Sequence, residues 1–435
     1  MAHVLGTPTS RNGNVRDVVD PISIAGLGVV SPFGDSSIRF RDALLEGATG
    51  IAADPRFVSY GCRSRLAARV SAFDPARWIS PMKLRRMDTT GPHALAALRQ
   101  AMEGANYAVT TEGDARAGVV LGTYSAGGQA TSEYLESLFR RGPSGAPALL
   151  FNSTVGNAAA GLAGLEYKLC GPNATISQKE ASGLAAIAAA VDLLRLGRAD
   201  AVGAGGMDAI YDLFYRAHDR FDVMSDASVL DESLAPFSRS RRGFVMGEGG
   251  FVLWLTRGGD RGLGEILGTA AASADCALNA WPSDPEPLVR TMSLALEDAG
   301  LRASDVSVVY ASANATARLD EVEARALGTL FGGSQTVVTS IKGAIGECSA
   351  SGAAACVAAV LCGAAGRVPP IAGLRDADPV AGPLRLAEMN QEAPGEIVLV
   401  NSVASGGAAV SAVLRIPRDP RMEERAPHQG TDEEA

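Results

Sequence analysis

Apolar and polar positions along this chain alternate between short apolar runs of strand length and longer, small-residue stretches of helix length. Ile22 to Val30 (ISIAGLGVV) reads as a first strand, entering the turn Ser31-Pro32-Phe33-Gly34 and then an amphipathic helix around Ile38 to Glu46. Ala117 to Gly122 reads as a second strand that ends at Ser125-Ala-Gly-Gly128 before another helix. Ala174 to Ser177 follows as a short strand, Glu180 to Leu196 as a buried alanine-rich helix, and Ala199 to Ala204 as a strand.

The second half repeats this plan. Val306 to Ala311 and Thr336 to Ser340 read as strands on either side of a helix from Leu319 to Leu330. A small-residue helix from Gly352 to Gly363, a strand from Ile397 to Val400 and a hairpin-like Ala408 to Arg415 complete it. In each half a polar turn, at Glu180 and again at Glu347, leads into an Ala/Gly-rich helix, a weak internal repeat. The alternation predicts a mostly parallel, helix-covered sheet in two similar α/β halves, residues 21–260 and 261–416. An ordinary doubly wound α/β protein would produce the same alternation. Residues 1–20 and 417–435 are polar, carry charge and proline, and are expected to be mobile tails.

Composition narrows the class. With 435 residues, 47% of them apolar and 20% charged, the chain can bury a large core, and its 50 glycines point to backbones packed closely together. A net charge of -9 argues against nucleic-acid or anionic-membrane binding, which needs clustered Lys and Arg. The six cysteines contain no CxxC pair and sit mostly in apolar surroundings, so neither a disulfide framework nor a zinc site is expected. No segment reads as a signal peptide or as a run of about 18 apolar residues, so a cytoplasmic protein is expected.

Several segments together resemble the β-ketoacyl synthase family over nearly all of residues 21–416. Ile24-Ala-Gly-Leu-Gly-Val-Val-Ser-Pro-Phe-Gly34 is similar to its opening strand and turn, and Gly203-Ala-Gly-Gly-Met-Asp208 to the strand end after its central helix. Ala235-Pro-Phe-Ser-Arg-Ser-Arg-Arg-Gly-Phe-Val-Met-Gly-Glu-Gly249 resembles the family signature PFDxxRxGFVxGEG and is the most specific segment. The resemblance implies a thiolase-like α/β fold, two halves in a five-layer α-β-α-β-α arrangement. It also implies a pocket lined by Lys342, Phe244 and Ser405, with no cofactor and no metal.

Such an enzyme needs a cysteine thiolate at a helix N-terminus to carry the acyl chain. Two histidines then drive decarboxylation and steady the oxyanion. In the family the cysteine stands seven positions after a GPN-like turn; counting from Gly171-Pro172-Asn173 reaches Glu180. The YxxAHGT histidine falls on Asn314 within Tyr310-Ala-Ser-Ala-Asn-Ala-Thr316, and the KxxxGH histidine on Glu347 after Lys342. The histidine count agrees without any alignment. Only His3, His93, His218 and His428 exist, none between 219 and 427, and His93 and His218 lie on helical stretches that read as surface or core.

Loss of all three groups resembles the chain length factors, the non-condensing partners of ketosynthases in type II polyketide systems. There a glutamine commonly stands at the cysteine position; Glu180-Ala-Ser-Gly183 keeps the frame with a carboxylate. Leu319-Asp-Glu-Val-Glu-Ala-Arg-Ala-Leu327 is also similar, whereas Val403-Ala404-Ser405 replaces the bulky gating aromatics of active ketosynthases. The resemblance implies a catalytic ketosynthase and an acyl carrier protein as partners. It also implies a chain tunnel gated by Gln129, Ser132, Glu133, Tyr134 and Glu136, whose polarity suits a polar or polyene chain.

Glu180 has a structural reading as well: a helix N-terminus favours a carboxylate by about 0.3 to 1 kcal/mol, and Lys179 or Lys342 could pair with it. Two catalytic alternatives remain. One is a malonyl-acyl carrier protein decarboxylase or atypical acyltransferase using Glu180 or Glu347, and the other a shifted nucleophile at Cys348.

Overall fold

A computed structural model describes residues 21–423 except 86 and 259–261. Among the described residues eleven strands form one sheet. In chain order they are β1 (Ile22–Val30), β2 (Ala117–Gly122), β3 (Asn173–Ile176), β4 (Ala201–Asp208), β5 (Gly249–Arg257), β6 (Gly264–Ser273), β7 (Val308–Tyr310), β8 (Val337–Thr339), β9 (Arg385–Leu386), β10 (Ile397–Val403) and β11 (Ala408–Arg415). Across the sheet they run β9-β8-β7-β10-β11-β6-β1-β5-β4-β2-β3.

This order contains a duplication. Outward from the centre, β1 is followed by β5, β4, β2 and β3, with two antiparallel and then two parallel pairings. On the other side, β6 is followed by β11, β10, β7 and β8 with the same succession. The halves join where β1 and β6 pair antiparallel, Ile22 opposite Ile266 and Ile24 opposite Gly264. Sequence periodicity detected the repeat but missed β5, whose burial from Gly249 to Leu255 removes apolar-polar alternation, and β6, which is buried only from Gly264 to Gly268.

Two helices fill the space between the halves: α1 (Ser182–Arg195), preceded by a 3-10 turn at Lys179–Ala181, and α2 (Ser351–Ala364). From Ser351 to Cys362 every residue of α2 is buried. Such packing requires backbones in contact; a Cβ added at Gly206 of β4 would lie 2.9 Å from the Ala350 Cα and 3.0 Å from the Gly183 Cα. Helices such as Thr90–Gly104 and Glu286–Asp298 cover the outer faces, packing on β1 and β6 respectively, which completes the expected α-β-α-β-α layering.

One expectation is corrected. The C-terminal tail does not begin at 417, because Asp419 N–H donates to Ala364 O (2.8 Å), Arg418 reaches Ala393 O (2.7 Å), and Pro420–Glu423 forms a helical turn. Backbone hydrogen bonding to α2 anchors that segment. The remainder of that tail and residues 1–20 lie outside the described residues, as does the half boundary at 260.

Candidate functional site

The chain reaches the site through an elbow after β3. Lys179 adopts a left-handed backbone (φ 48°), so Glu180 is presented at the start of the turn that opens α1. Ser182 braces the elbow, its hydroxyl donating to Lys179 O (2.6 Å) and accepting from Gln178 N–H (2.8 Å). The Glu180 carboxylate is buried and accepts the Ser405 N–H (3.0 Å) and the Ser405 hydroxyl (3.1 Å). Burial, with the nearby Glu347 charge, pushes its carboxyl up to about 7, against the opposing pull of the Ser405 donors.

Neither lysine pairs directly with Glu180, which corrects the expectation. Lys179 bonds the Ser405 hydroxyl (3.2 Å) and the Asn279 side-chain oxygen. Lys342 belongs to Glu347, 2.7 Å away, and also donates to Ser312 O (2.7 Å) and the Ser312 hydroxyl (3.1 Å). A buried lysine demands acceptors on each N–H, and the 312–314 loop with Glu347 supplies them.

Asn314 completes this second cluster, its side-chain amide donating to the same Glu347 oxygen (2.7 Å). Among the described residues the other Glu347 oxygen, which is buried, has no hydrogen-bond partner. The loop carrying Asn314 is fixed from the helix Ala317–Phe331. Asp320 accepts the Asn314 N–H (2.9 Å) and the Phe237 N–H (2.7 Å), and Glu323 accepts the Ser312 N–H (2.8 Å). Burial raises the Asp320 carboxyl to about 7. This positioning role of Asp320 and Glu323 went unread in the sequence, although both sit in Leu319-Asp-Glu-Val-Glu323, because surface carboxylates on a helix look the same there.

Glu180 and Glu347 face one small cavity, with about 20 Å³ open to the centre of a water-sized sphere. Phe244, Met246, Tyr124 and Phe214 form its apolar walls, and Asp208 closes the floor, receiving Thr123, Tyr124, Ser125 and Ser349 donors. His218 also lines it, a placement the sequence reading did not foresee. Its Nδ1 hydrogen-bonds Phe214 O (2.9 Å), and burial lowers its pKa, keeping the ring neutral. His93 is instead a buried brace on Asp208 O (2.9 Å). Cys348 lines the cavity too, but burial pushes its thiol up to about 12, so it offers no thiolate near neutral pH. Among the described residues no group of three His, Cys, Asp or Glu side chains could hold a metal ion.

The five expected tunnel residues are not part of this cavity. They lie on the helix Gly128–Arg141, whose one buried residue is Ala130. Glu133 and Glu136 are exposed, the former bonded by Gln129 and the latter paired with Arg140 (3.0 Å), while Tyr134 packs on Phe151 with ring centres 5.8 Å apart.

Comparison with known proteins adds ancestry to this geometry. The chain is 28% identical over 407 residues to a 3-oxoacyl-[acyl-carrier-protein] synthase 2 from Synechocystis, covering 91% of this chain and 97% of that one. It is 29% identical over 404 residues to the tetracenomycin polyketide synthase ketoacyl synthase beta subunit of Streptomyces glaucescens, covering 91% and 98%. The solved ishigamide ketosynthase/chain length factor superposes with a TM-score of 0.82 at 26% identity, over 92% of this chain and 99% of that one. Among the described residues no helix is long and apolar enough to cross a membrane. Residues 19–260 match the Beta-ketoacyl synthase N-terminal domain and residues 263–375 its C-terminal domain, so the chain belongs to the β-ketoacyl synthase family.

Proposed function

We propose that this chain is a non-condensing chain length factor subunit that pairs with a catalytic ketosynthase and shapes the tunnel for the growing polyketide or polyene chain. The reading rests on counting from the motifs, which sets Glu180, Asn314 and Glu347 where the family's cysteine and two histidines are expected. There a carboxylate fixed to Ser405 and a Lys342-Glu347-Asn314 cluster replace thiolate and imidazoles. The similarity to a ketoacyl synthase beta subunit and to a ketosynthase/chain length factor structure supports it.

A partner surface is available as well. Phe139 (82% exposed), Leu149 (66%) and Phe151 (60%) stand on two contacting helices. Large exposed apolar side chains in a cluster mark an interaction surface. With the partner seated there, Gln129, Ser132, Glu133, Tyr134 and Glu136 would face the chain, and their polarity suits a polar or polyene product. Acyl carrier protein is the expected second partner, as it is part of the Synechocystis relative's name. Co-expression with the ketosynthase encoded nearest to it should yield a stable heterodimer on size-exclusion chromatography. A lone homodimer that elongates acyl chains would overturn the reading.

The raised Glu180 carboxyl favours a second reading, an acid-base role in malonyl-acyl carrier protein decarboxylation. Carbon dioxide release from malonyl carrier protein by the lone chain, abolished in Glu180→Gln, would establish it.

A further inference from the structure

Glu180 and Glu347, one from each half of the chain, are both buried and line one cavity, yet they are held unequally. Glu347 Oε2 accepts from Lys342 Nζ (2.7 Å) and from the Asn314 amide (2.7 Å), so a full positive charge stands against it. Among the described residues its Oε1 has no hydrogen-bond partner. Glu180 meets only uncharged donors: the Ser405 N–H (3.0 Å), the Ser405 hydroxyl (3.1 Å) and its own backbone N–H. Lys179 Nζ donates to the Ser405 hydroxyl oxygen (3.2 Å) and reaches Glu180 only through it. The two oxygens of a carboxylate offer about four acceptor sites, so one remains on Glu180 for a proton.

Among the described residues the rest of the lining carries no cation. Tyr124 in the turn after β2, Asp208 at the end of β4 and His218 on the helix Asp212–Arg220 share it with Cys348. Burial keeps the Tyr124 hydroxyl, the His218 ring and the Cys348 thiol uncharged near neutral pH. Asp320 and Glu323 stand behind the 312–314 loop, where they accept its N–H groups. We propose that Glu180 and Glu347 act as one unequal carboxyl pair holding a single proton, seated on Glu180 and offered to Glu347 Oε1 across the cavity, so that Glu347 sets how firmly Glu180 keeps it. Ionising both carboxyls between apolar walls sets like charges against each other, and the proton goes to the partner that lacks a cation. It also gives the buried Glu347 Oε1 a donor. The titration of Glu180 agrees, since burial first and the Glu347 charge second push its carboxyl up to about 7. Glu347 acts through Glu180 and is a positioning residue. Use of the pair as an acid rests on the decarboxylation reading; its existence does not, and is measured with no substrate present.

The test follows the Glu180 carboxyl carbon by NMR in the full chain labelled at glutamate side-chain carboxyls, with Glu180→Gln assigning the signal. Wild type should titrate at about 7. Removing the facing charge in Glu347→Gln should move the midpoint down by about half a pH unit or more, roughly a threefold gain in acidity. Because that variant strands the Lys342 charge, Lys342→Met with Glu347→Gln repeats the measurement without the buried ion pair and should shift the same way. Ser405→Gly removes a donor to the ionised form and should move the midpoint up, whereas a general loosening of the pocket would move every variant down. An unchanged midpoint in the Glu347 variants that fold by circular dichroism overturns the proposal. So does a downward shift in Ser405→Gly, or a wild-type midpoint in the ordinary carboxyl range. Carbon dioxide release from malonyl carrier protein is assayed separately: an ordinary titration sinks the pair, while the expected titration without release sinks only the decarboxylation reading.

Discussion

Lys342 Nζ and Glu347 Oε2 lie 2.7 Å apart, and both side chains are at least 95% enclosed. A charge pair so placed offsets its desolvation cost in part through Ser312, which accepts from Lys342, and Asn314, which donates to Glu347 Oε2.

Removing one partner therefore strands a buried charge. Lys342→Met should lower unfolding free energy by about 3 to 5 kcal/mol, whereas Lys342→Met with Glu347→Leu should recover much of that loss. Urea denaturation of the three proteins checks it. An additive double variant would contradict the pairing.

Glu180 makes stability depend on pH in a set direction. Its folded carboxyl titrates at about 7 against an ordinary 4.5, so between those values the folded chain holds a proton that the unfolded chain has released. Stability falls as pH rises through that window, by about 3 kcal/mol for a shift of this size. Asp320, raised to about 7 from 3.8, adds a drop of the same sign. Glu180→Gln should flatten part of the slope in melts from pH 5 to 8, and an unchanged slope would remove Glu180 from the account.

His218 should titrate below the usual histidine range, because burial opposes its charged form. The sign for stability is opposite to that of Glu180: its contribution is present at neutral pH and is lost as pH falls through the unfolded value near 6.5. Nitrogen-detected NMR should find a neutral ring with the proton on Nδ1, where it bonds Phe214 O. A ring that stays charged above pH 7 would refute this.

The contact of β4 with the middle helices leaves no room for a side chain at Gly206. Gly206→Val should cost about 3 kcal/mol or more, or leave no soluble protein, since Ala350 and Gly183 meet it with backbone atoms that cannot yield. Thermal melts decide this.

Charge on the exposed apolar face should break pairing without harming the fold. Phe139→Asp, 82% exposed, should melt like wild type yet elute without its ketosynthase. Co-elution at wild-type yield would move the interface elsewhere.

The ordered motifs and the duplicated strand-turn-helix plan were sufficient for the fold, because backbone geometry and buried small residues leave local traces in sequence. Counting from those motifs singled out Glu180, Asn314 and Glu347, and the structure brings Asn314 onto Glu347 and sets Glu180 and Glu347 on one cavity. What local pattern could not supply was the choice of partners. Lys342 joins Glu347 and not Glu180, Ser405 travels 225 residues to meet Glu180, and His218 turns inward. The sequence by itself determined the layered fold. Only the tertiary structure decided which buried charges meet, since those energies depend on distances between residues far apart in the chain.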